Sequence, residues 1–503
     1  MASGFGELII KIIFSTDIKN FSRKLLFARK FIISGGYIFM RKFLAAIFIL
    51  SLIITPVFSS NSDEFNFNFP RARQNTLNDW AMASQIVQNI QRPNIPAKEI
   101  RLNLTSSEAR DAHKIIQEAI DKTSSEGGGK IIIPAGEYIC NGPIVLKNNI
   151  ELNLEEGAKI LFSPEPSCYL PVVKTRWEGT ELMNYSPMIY AYGQHDIALT
   201  GAGTIDGNSE SVFHSWKKLE KPDQQALRLM GAAGTPVENR IFGEGHYLRP
   251  CIIEVNYCER VLLENYTVMN SPFWINHINC SEHVQVRGLK VNSMFANNDG
   301  IDVESSKYVL IEKNIFRTGD DSVVVKSGRD YDGRKVGLPS KYVVIRQNDM
   351  GGEDGIALGS EMSGGIAYVF FEDNILRDGD SAVRFKANLD RGGTCEHIRV
   401  RNMKIGNFKN FIWFQLNYPG ELGGNFPTVY KDLVFENITV ESLSEKLFEC
   451  HAPKGYPLQD VMLKDVNIIK SANSNFILEN VSNLVINNFK INDQNINGVL
   501  SSF

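Results

Sequence analysis

A chain of 503 residues, 43% hydrophobic and 22% charged, has material for a sizeable core. Its formal net charge of −4 argues against a nucleic-acid partner, which would need a strongly positive surface. Cys140, Cys168, Cys251, Cys258, Cys280, Cys395 and Cys450 leave at least one thiol unpaired, and neither they nor the eight histidines show metal-ligand spacing. No metal or other cofactor is expected.

The chain starts with 39 residues of unclear purpose. Met40-Arg41-Lys42 then forms a basic tip, Phe43 to Ile54 an apolar run and Val57-Phe58-Ser59 a small-residue cleavage site. This pattern reads as a secretory leader with Met40 as the working start, and the run is too short to span a bilayer comfortably. The reading predicts an extension plus leader over 1–59 and a secreted product, periplasmic or extracellular, with no stable membrane association. A membrane-anchored form is the alternative. Residues 60–96 are polar and read as an irregular arm lying on the body. From Glu108 to Lys122, Ile115, Ile116, Ala119 and Ile120 share one helical face, and Gly127-Gly128-Gly129 ends the pattern. A lone amphipathic helix ahead of a run of strands suits a cap over the open end of a solenoid.

A short strand motif recurs beyond residue 130. It starts at Val261, Val284, Val309, Val343, Val369, Ile398, Leu433, Val461 and Leu484, with weaker copies at Ile150 and Ile197. Fixed strands with variable loops are the mark of a repeat architecture. The tight two-residue hairpins of a sandwich are missing. The predicted fold is all-β: a single-stranded right-handed parallel β-helix over 97–503 with a short N-terminal capping helix. Asn265, Asn314, Asn374 and Asn437 are candidates for an internal amide ladder. Insertions near 205–248, 329–341 and 411–430 are placed to wall a groove.

Within the repeats, carboxylates gather at Asn297-Asn298-Asp299-Gly300-Ile301-Asp302 and again at Gly319-Asp320-Asp321. The two motifs lie about one repeat apart, so winding should stack them at one coil step, about 4.8 Å. Asp-Gly and Asp-Asp also occur in ordinary turns. Clustered carboxylates, however, raise one another's pKa, and one protonated acid beside one ionised acid is what glycoside hydrolysis uses. Arg384 and Lys386 alternate with Phe385, so on a strand both cations share a face.

Together these motifs resemble the polygalacturonase family of glycoside hydrolases (family 28), bacterial type. The resemblance covers about residues 100–470. It rests on the runs Gly127 to Gly136, Leu154 to Ala158, Gly201 to Gly207, Asn270 to Trp274 and Gly359 to Gly365. It rests also on Asn297-Asn298-Asp299, Asp320-Asp321 and Arg384-Phe385-Lys386. It implies a metal-free, inverting hydrolase of α-linked galacturonic acid in pectin, and the looped insertions point to a closed groove and exo action. Asp320 would protonate the glycosidic oxygen, and Asp299 and Asp321 would hold and deprotonate the attacking water. Arg384, Lys386 and Lys326 would grip a sugar carboxylate, and His277 would line the groove. One position departs from the family, which carries Gly-His-Gly where this chain has Gly352-Glu353-Asp354-Gly355. Glu353 and Asp354 are therefore further candidates for substrate contact, and a rhamnogalacturonan hydrolase is the alternative within the family. Outside it, a polysaccharide lyase and a non-catalytic glycan-binding β-helix remain open.

Overall fold

The computed structural model describes residues 76–502, so the expected leader lies outside the described residues. The recurring strand motif is one column of the structure. Ile150, Ile197, Val261, Val284, Val309, Val343, Val369, Ile398, Leu433, Val461 and Leu484 are Cα partners from coil to coil, all in parallel pairing. Each is at most 1% exposed. Burial of these aliphatic side chains inside the coil, with every backbone strand bonded to the coils on either side, holds the parallel β-helix together.

The residue before each of these positions takes the left-handed conformation. Arg260, His283, Tyr308, Tyr342, Tyr368, His397 and Asp432 have φ between 54° and 59°. A side chain tolerates this poorly, but here the bend turns the strand inward and throws the side chain out. The expelled rings stack from His283 through Tyr308, Tyr342 and Tyr368 to His397, with successive centroids 4.5 to 5.4 Å apart.

That outer ladder explains a departure from the expected irregular arm. Residues Thr76–Asn89 form a helix. Trp80, Ala83, Ile86 and Ile90 recur at helical spacing and pack on Leu310, Val344 and Phe370 beside the stacked tyrosines. Trp80 donates its indole N–H to Glu436 at 2.8 Å, and the Arg401 guanidinium lies 3.9 Å from its ring centre. Trp80→Ala is expected to release this helix, so that limited proteolysis cuts near residue 90 at least about tenfold faster. The melting midpoint of the β-helix should stay nearly unchanged, because Trp80 touches only the outer surface of the coils.

The amide ladder is real but differently composed. Asn314, Asn348 and Asn374 are buried and bonded in series, Asn314 Nδ2 to Asn348 Oδ1 at 2.9 Å and Asn348 Nδ2 to Asn374 Oδ1 at 3.0 Å. Asn265 and Asn437 are exposed and sit one residue earlier in the turn, at the left-handed position (φ 70° and 52°). Tyr266 and Ile438 fill the ladder column in those coils.

Both ends of the solenoid are closed. Helix His113–Ser125 buries Ile116 and Ile120 in the first coil, a few residues later than the pattern suggested. At the other end Gln494–Ser502 folds back antiparallel on Val481–Ile491 and covers the last edge. Helices Lys221–Ala232 and Asp330–Val336 occupy two of the three expected insertions. The third is an irregular loop that begins after the strand ending at Gln415. An unforeseen hairpin, Val173–Trp177 with Thr180–Asn184, lies outside the coils and pairs with Ile241–Phe242. Among the described residues no helix is long and apolar enough to cross a membrane.

Candidate active site

The carboxylates converge because of strand register. Strands Ile301–Glu304, Val323–Lys326 and Asp354–Leu358 stack with Ile301 beside Val323 and Val323 beside Ile356. Two residues upstream the same register sets Asp299, Asp321 and Asp354 in one column. Three upstream it sets Asn298, Asp320 and Glu353 in the next. Asp299 therefore stacks on Asp321 rather than on Asp320 as the spacing suggested. One oxygen from each of Asp299, Asp320 and Asp321 nevertheless lies within 4.8 Å of the others. Such tight turns need glycine. A Cβ on Gly319 would come 2.3 Å from the Phe295 carbonyl, and one on Gly352 2.5 Å from that of Asp320.

Asn298 fixes the first turn from below. Its buried amide donates to the Ser271 and Phe273 carbonyls at 3.1 and 2.9 Å and accepts from Ser293 Oγ and the Phe295 N–H. The partly exposed Asp320 accepts from the Asn297 N–H at 3.2 Å and the Asp321 N–H at 3.0 Å. Asp321 is buried, and Lys386 Nζ lies 2.8 Å from both its oxygens and 2.9 Å from Asp354 Oδ2. Arg384 also reaches Asp354, at 3.1 Å, while its Nη2 donates to Gln415 Oε1 at 2.6 Å and its guanidinium lies over Trp413.

Charge is unevenly compensated across this cluster. Asp299 is buried and its Oδ1 has no partner. Burial first, then Asp302, Asp320 and Asp321, push its carboxyl well above the usual range, which favours its neutral form. Asp302 is pushed up likewise, mainly by burial, although Lys326 Nζ is 3.8 Å away. Glu353 reaches solvent, yet the protein packed against its inner side and then the Asp320 charge raise it to about 7. The cluster thus sets carboxyls pushed toward their neutral forms beside one, Asp321, that is held by a lysine, the kind of pairing acid–base cleavage uses.

Residues 237–490 match the model of glycosyl hydrolases family 28. The chain belongs to that family. It is 31% identical over 354 residues to a probable polygalacturonase of Vitis vinifera, covering 66% of this chain and 67% of that protein. An endo-polygalacturonase of Pectobacterium carotovorum is 25% identical, covering 71% and 83%. Among solved structures, the exopolygalacturonase of Thermotoga maritima superposes with a TM-score of 0.78 at 35% identity, over 84% of this chain and all of that one.

Other predicted site residues of this family 28 glycoside hydrolase fall elsewhere. His277 lines no open groove. It is 1% exposed beneath the hairpin, with Nε2 2.9 Å from Glu304 and Nδ1 3.6 Å from Glu254. Burial lowers its pKa, but Cys251 and the flanking Glu254 and Glu304 together raise it well above the usual value, and so paired it supports the wall. Lys326 is also buried, bonded to the Gly359 carbonyl and Glu361 and lying 4.8 Å from the Trp274 ring centre. By spacing alone, Cys251, Glu254 and His277 could hold a cation, as could the three aspartates. The His277 group is already paired with protein partners.

Tyr418 was not legible in the sequence. The irregular insertion after Gln415 carries it, tied back by its N–H to the Ala387 carbonyl at 2.9 Å and by Asn388 Nδ2 to its own carbonyl at 3.1 Å. Burial pushes its phenol up, and the charges that act on it are those of Lys386, Glu361, Lys326 and Asp321, which places it near the carboxylate cluster. No periodicity marks that loop, so nothing in the sequence separated this tyrosine from its neighbours.

Proposed function

We propose that the protein is a secreted, exo-acting polygalacturonase that hydrolyses α-linked galacturonic acid with inversion at the anomeric carbon. The observation that carries the reading is the convergence of Asp299, Asp320 and Asp321 beside the cations Arg384 and Lys386. Asp320, the most accessible of the three, protonates the glycosidic oxygen. The C–O bond breaks as a water attacks the opposite face of the sugar. Asp321, its negative charge compensated by Lys386, accepts the water's proton while Asp299 holds the water by a hydrogen bond.

The nearest-oxygen spacing is shorter than the separation of about 6.5–9.5 Å usual for inverting enzymes. The engagement of both Asp321 oxygens by Lys386 supports inversion all the same, because a carboxylate so held is a poor nucleophile. The neutral contact of Arg384 with Gln415 is the one a sugar carboxylate would replace with a charge-assisted pair.

Exo action is supported by the hairpin. Arg176 Nη1 binds Asn279 and Ser305 at 3.1 and 3.0 Å across the outer face of the sheet, and Trp177 stacks on Phe273 at 4.9 Å. The Gly179 tip abuts Arg329 and Glu361. Gln224 and Arg228 of helix Lys221–Ala232 brace the tip through Glu178. A cover seated across the sheet would block passage of a continuous polymer, which favours attack at a chain end. The likeness to the Thermotoga maritima exopolygalacturonase points the same way. The leader pattern in the sequence supports secretion.

Digestion of polygalacturonate tests the reading. Monomer should accumulate from the first minutes while viscosity falls slowly, and proton NMR should show the inverted anomer forming first. Early oligomers would refute exo action, a retained anomer would refute inversion, and unsaturated products would indicate a lyase. The double neutralisation of Lys386 by Asp321 and Asp354 favours one second reading, a chain in which neutral sugars alternate with uronates. Faster cleavage of rhamnogalacturonan than of polygalacturonate would establish it.

A further inference from the structure

We propose that Lys446 and Trp413 form a second carboxylate-binding position, which takes the uronate that follows the one gripped by Arg384. The inference rests on the reading of the site as a polygalacturonase and deepens it. Strand register builds the position. Arg384 is the Cα partner of Trp413 in the next coil, and Trp413 that of Glu449 in the coil after. Each is flanked by core residues, Val383 and Phe385, Ile412 and Phe414, Phe448 and Cys450, so all three point to the outer face. Two cations meet on the Trp413 indole. The Arg384 guanidinium carbon lies 4.4 Å from the ring centre and Lys446 Nζ 3.9 Å. Their partners are unequal. Arg384 is bonded to Asp354 and Gln415. Lys446 Nζ makes no hydrogen bond among the described residues and faces one carboxylate, Glu449, at 3.6 Å. Its side chain is 27% exposed, so its donors reach solvent. A lysine ordinarily loses rotamer freedom when it binds an anion. Here the indole already holds the ammonium by cation–π attraction, so less is lost and a ligand meets the charge in place.

The cover on the sheet sets the direction in which substrate runs. The hairpin Val173–Trp177 with Thr180–Asn184 meets Glu254, Asn279 and Ser305, and its tip meets Arg329 and Glu361. These belong to coils up to the one that carries Asp354. Trp413 and Lys446 lie one and two coils beyond Arg384, past that cover. A chain end held against the hairpin at the carboxylate cluster therefore has the rest of its chain over the later coils, Arg384 first and Trp413 with Lys446 next. A carboxylate arriving there gives Lys446 a direct charge-assisted bond in place of the long contact with Glu449. A neutral sugar offers no such bond, so the position selects for consecutive uronates.

The test is kcat/KM for digalacturonate and trigalacturonate in wild type, Lys446→Met and Lys446→Arg, with melting curves to confirm folding. The disaccharide ends at Arg384 and the trisaccharide reaches Lys446, so the ratio of the two isolates the position. Wild type should favour the trisaccharide about tenfold, the size of one charge-assisted hydrogen bond, chiefly through KM. Lys446→Met keeps an aliphatic stem against Trp413 and should bring that ratio close to one. Lys446→Arg keeps the charge and should keep most of the ratio. In wild type the ratio should also fall as salt rises, because the pair is partly exposed. A wild-type ratio close to one, a ratio unchanged in Lys446→Met, or a ratio lost equally in Lys446→Arg would overturn the proposal. Failure of wild type to cleave either oligosaccharide would instead remove the polygalacturonase reading itself, a separate outcome.

Discussion

Asp320→Asn is expected to lower kcat by about a thousandfold or more while leaving KM within a few-fold and the melting curve unchanged. General acid assistance contributes about 10² to 10⁴ in rate, and a departing sugar without it leaves as a strongly basic alkoxide. The fold should tolerate the change because Asp320 is partly exposed and accepts only two backbone N–H bonds, which an amide oxygen can partly keep. Asp299→Asn contrasts with it. Burial and its acidic neighbours push the Asp299 carboxyl toward its neutral form, which an amide resembles, so Asp299→Asn should fold as well as wild type and lose less activity. Reducing-sugar release from polygalacturonate, measured beside calorimetry, separates the two variants. An Asp320→Asn protein as active as wild type would leave the site without its acid.

The coil was legible because its determinant is local and repeated. Each strand carries its own aliphatic column, so Val261 and Leu484 could be aligned without knowing where either lies in space, and the register follows from the pattern. The turns were less legible. Asn265 and Asn314 look alike in sequence, yet one occupies the left-handed corner and the other the buried column one residue later. A side-chain type accepted at both positions carries no information about which it fills.

The site was legible where its residues sit on the repeats and illegible where they depend on insertions. Asp299, Asp320, Asp321, Arg384 and Lys386 lie at fixed coil positions, so spacings of one or two coils brought them together. The partners of Arg384 and Lys386 were not foreseen, because Asp354 reaches them through the register of an intervening coil. Neither was the sealing of His277, since the hairpin that covers it comes about a hundred residues earlier and carries no repeat signal. Helix Thr76–Asn89 follows the same logic. Its apolar face is short, and it has meaning only against the tyrosine ladder it covers.

Lys386→Met should be the most destabilising substitution in the site, because it breaks a buried ion cluster from its centre. Lys386 Nζ lies within 2.9 Å of Asp321 and Asp354, and all three are at most 5% exposed. Removing one partner of a buried pair costs about 3–5 kcal/mol, since the remaining charge keeps its desolvation penalty without its compensation. Activity should fall with stability for a distinct reason. Lys386 is the counter-charge bonded to both Asp321 oxygens, and a base stripped of it is no longer held in place to receive the water's proton. Adding Asp354→Asn to Lys386→Met removes one of the two stranded charges. The double variant should melt higher than the single one yet remain inactive, because Asp321 still lacks its counter-charge. Urea unfolding of the three proteins, with activity measured in parallel, tests this. A Lys386→Met protein as stable as wild type would show that Asp321 and Asp354 do not depend on the lysine, and activity regained in the double variant would remove Asp321 from its role as base.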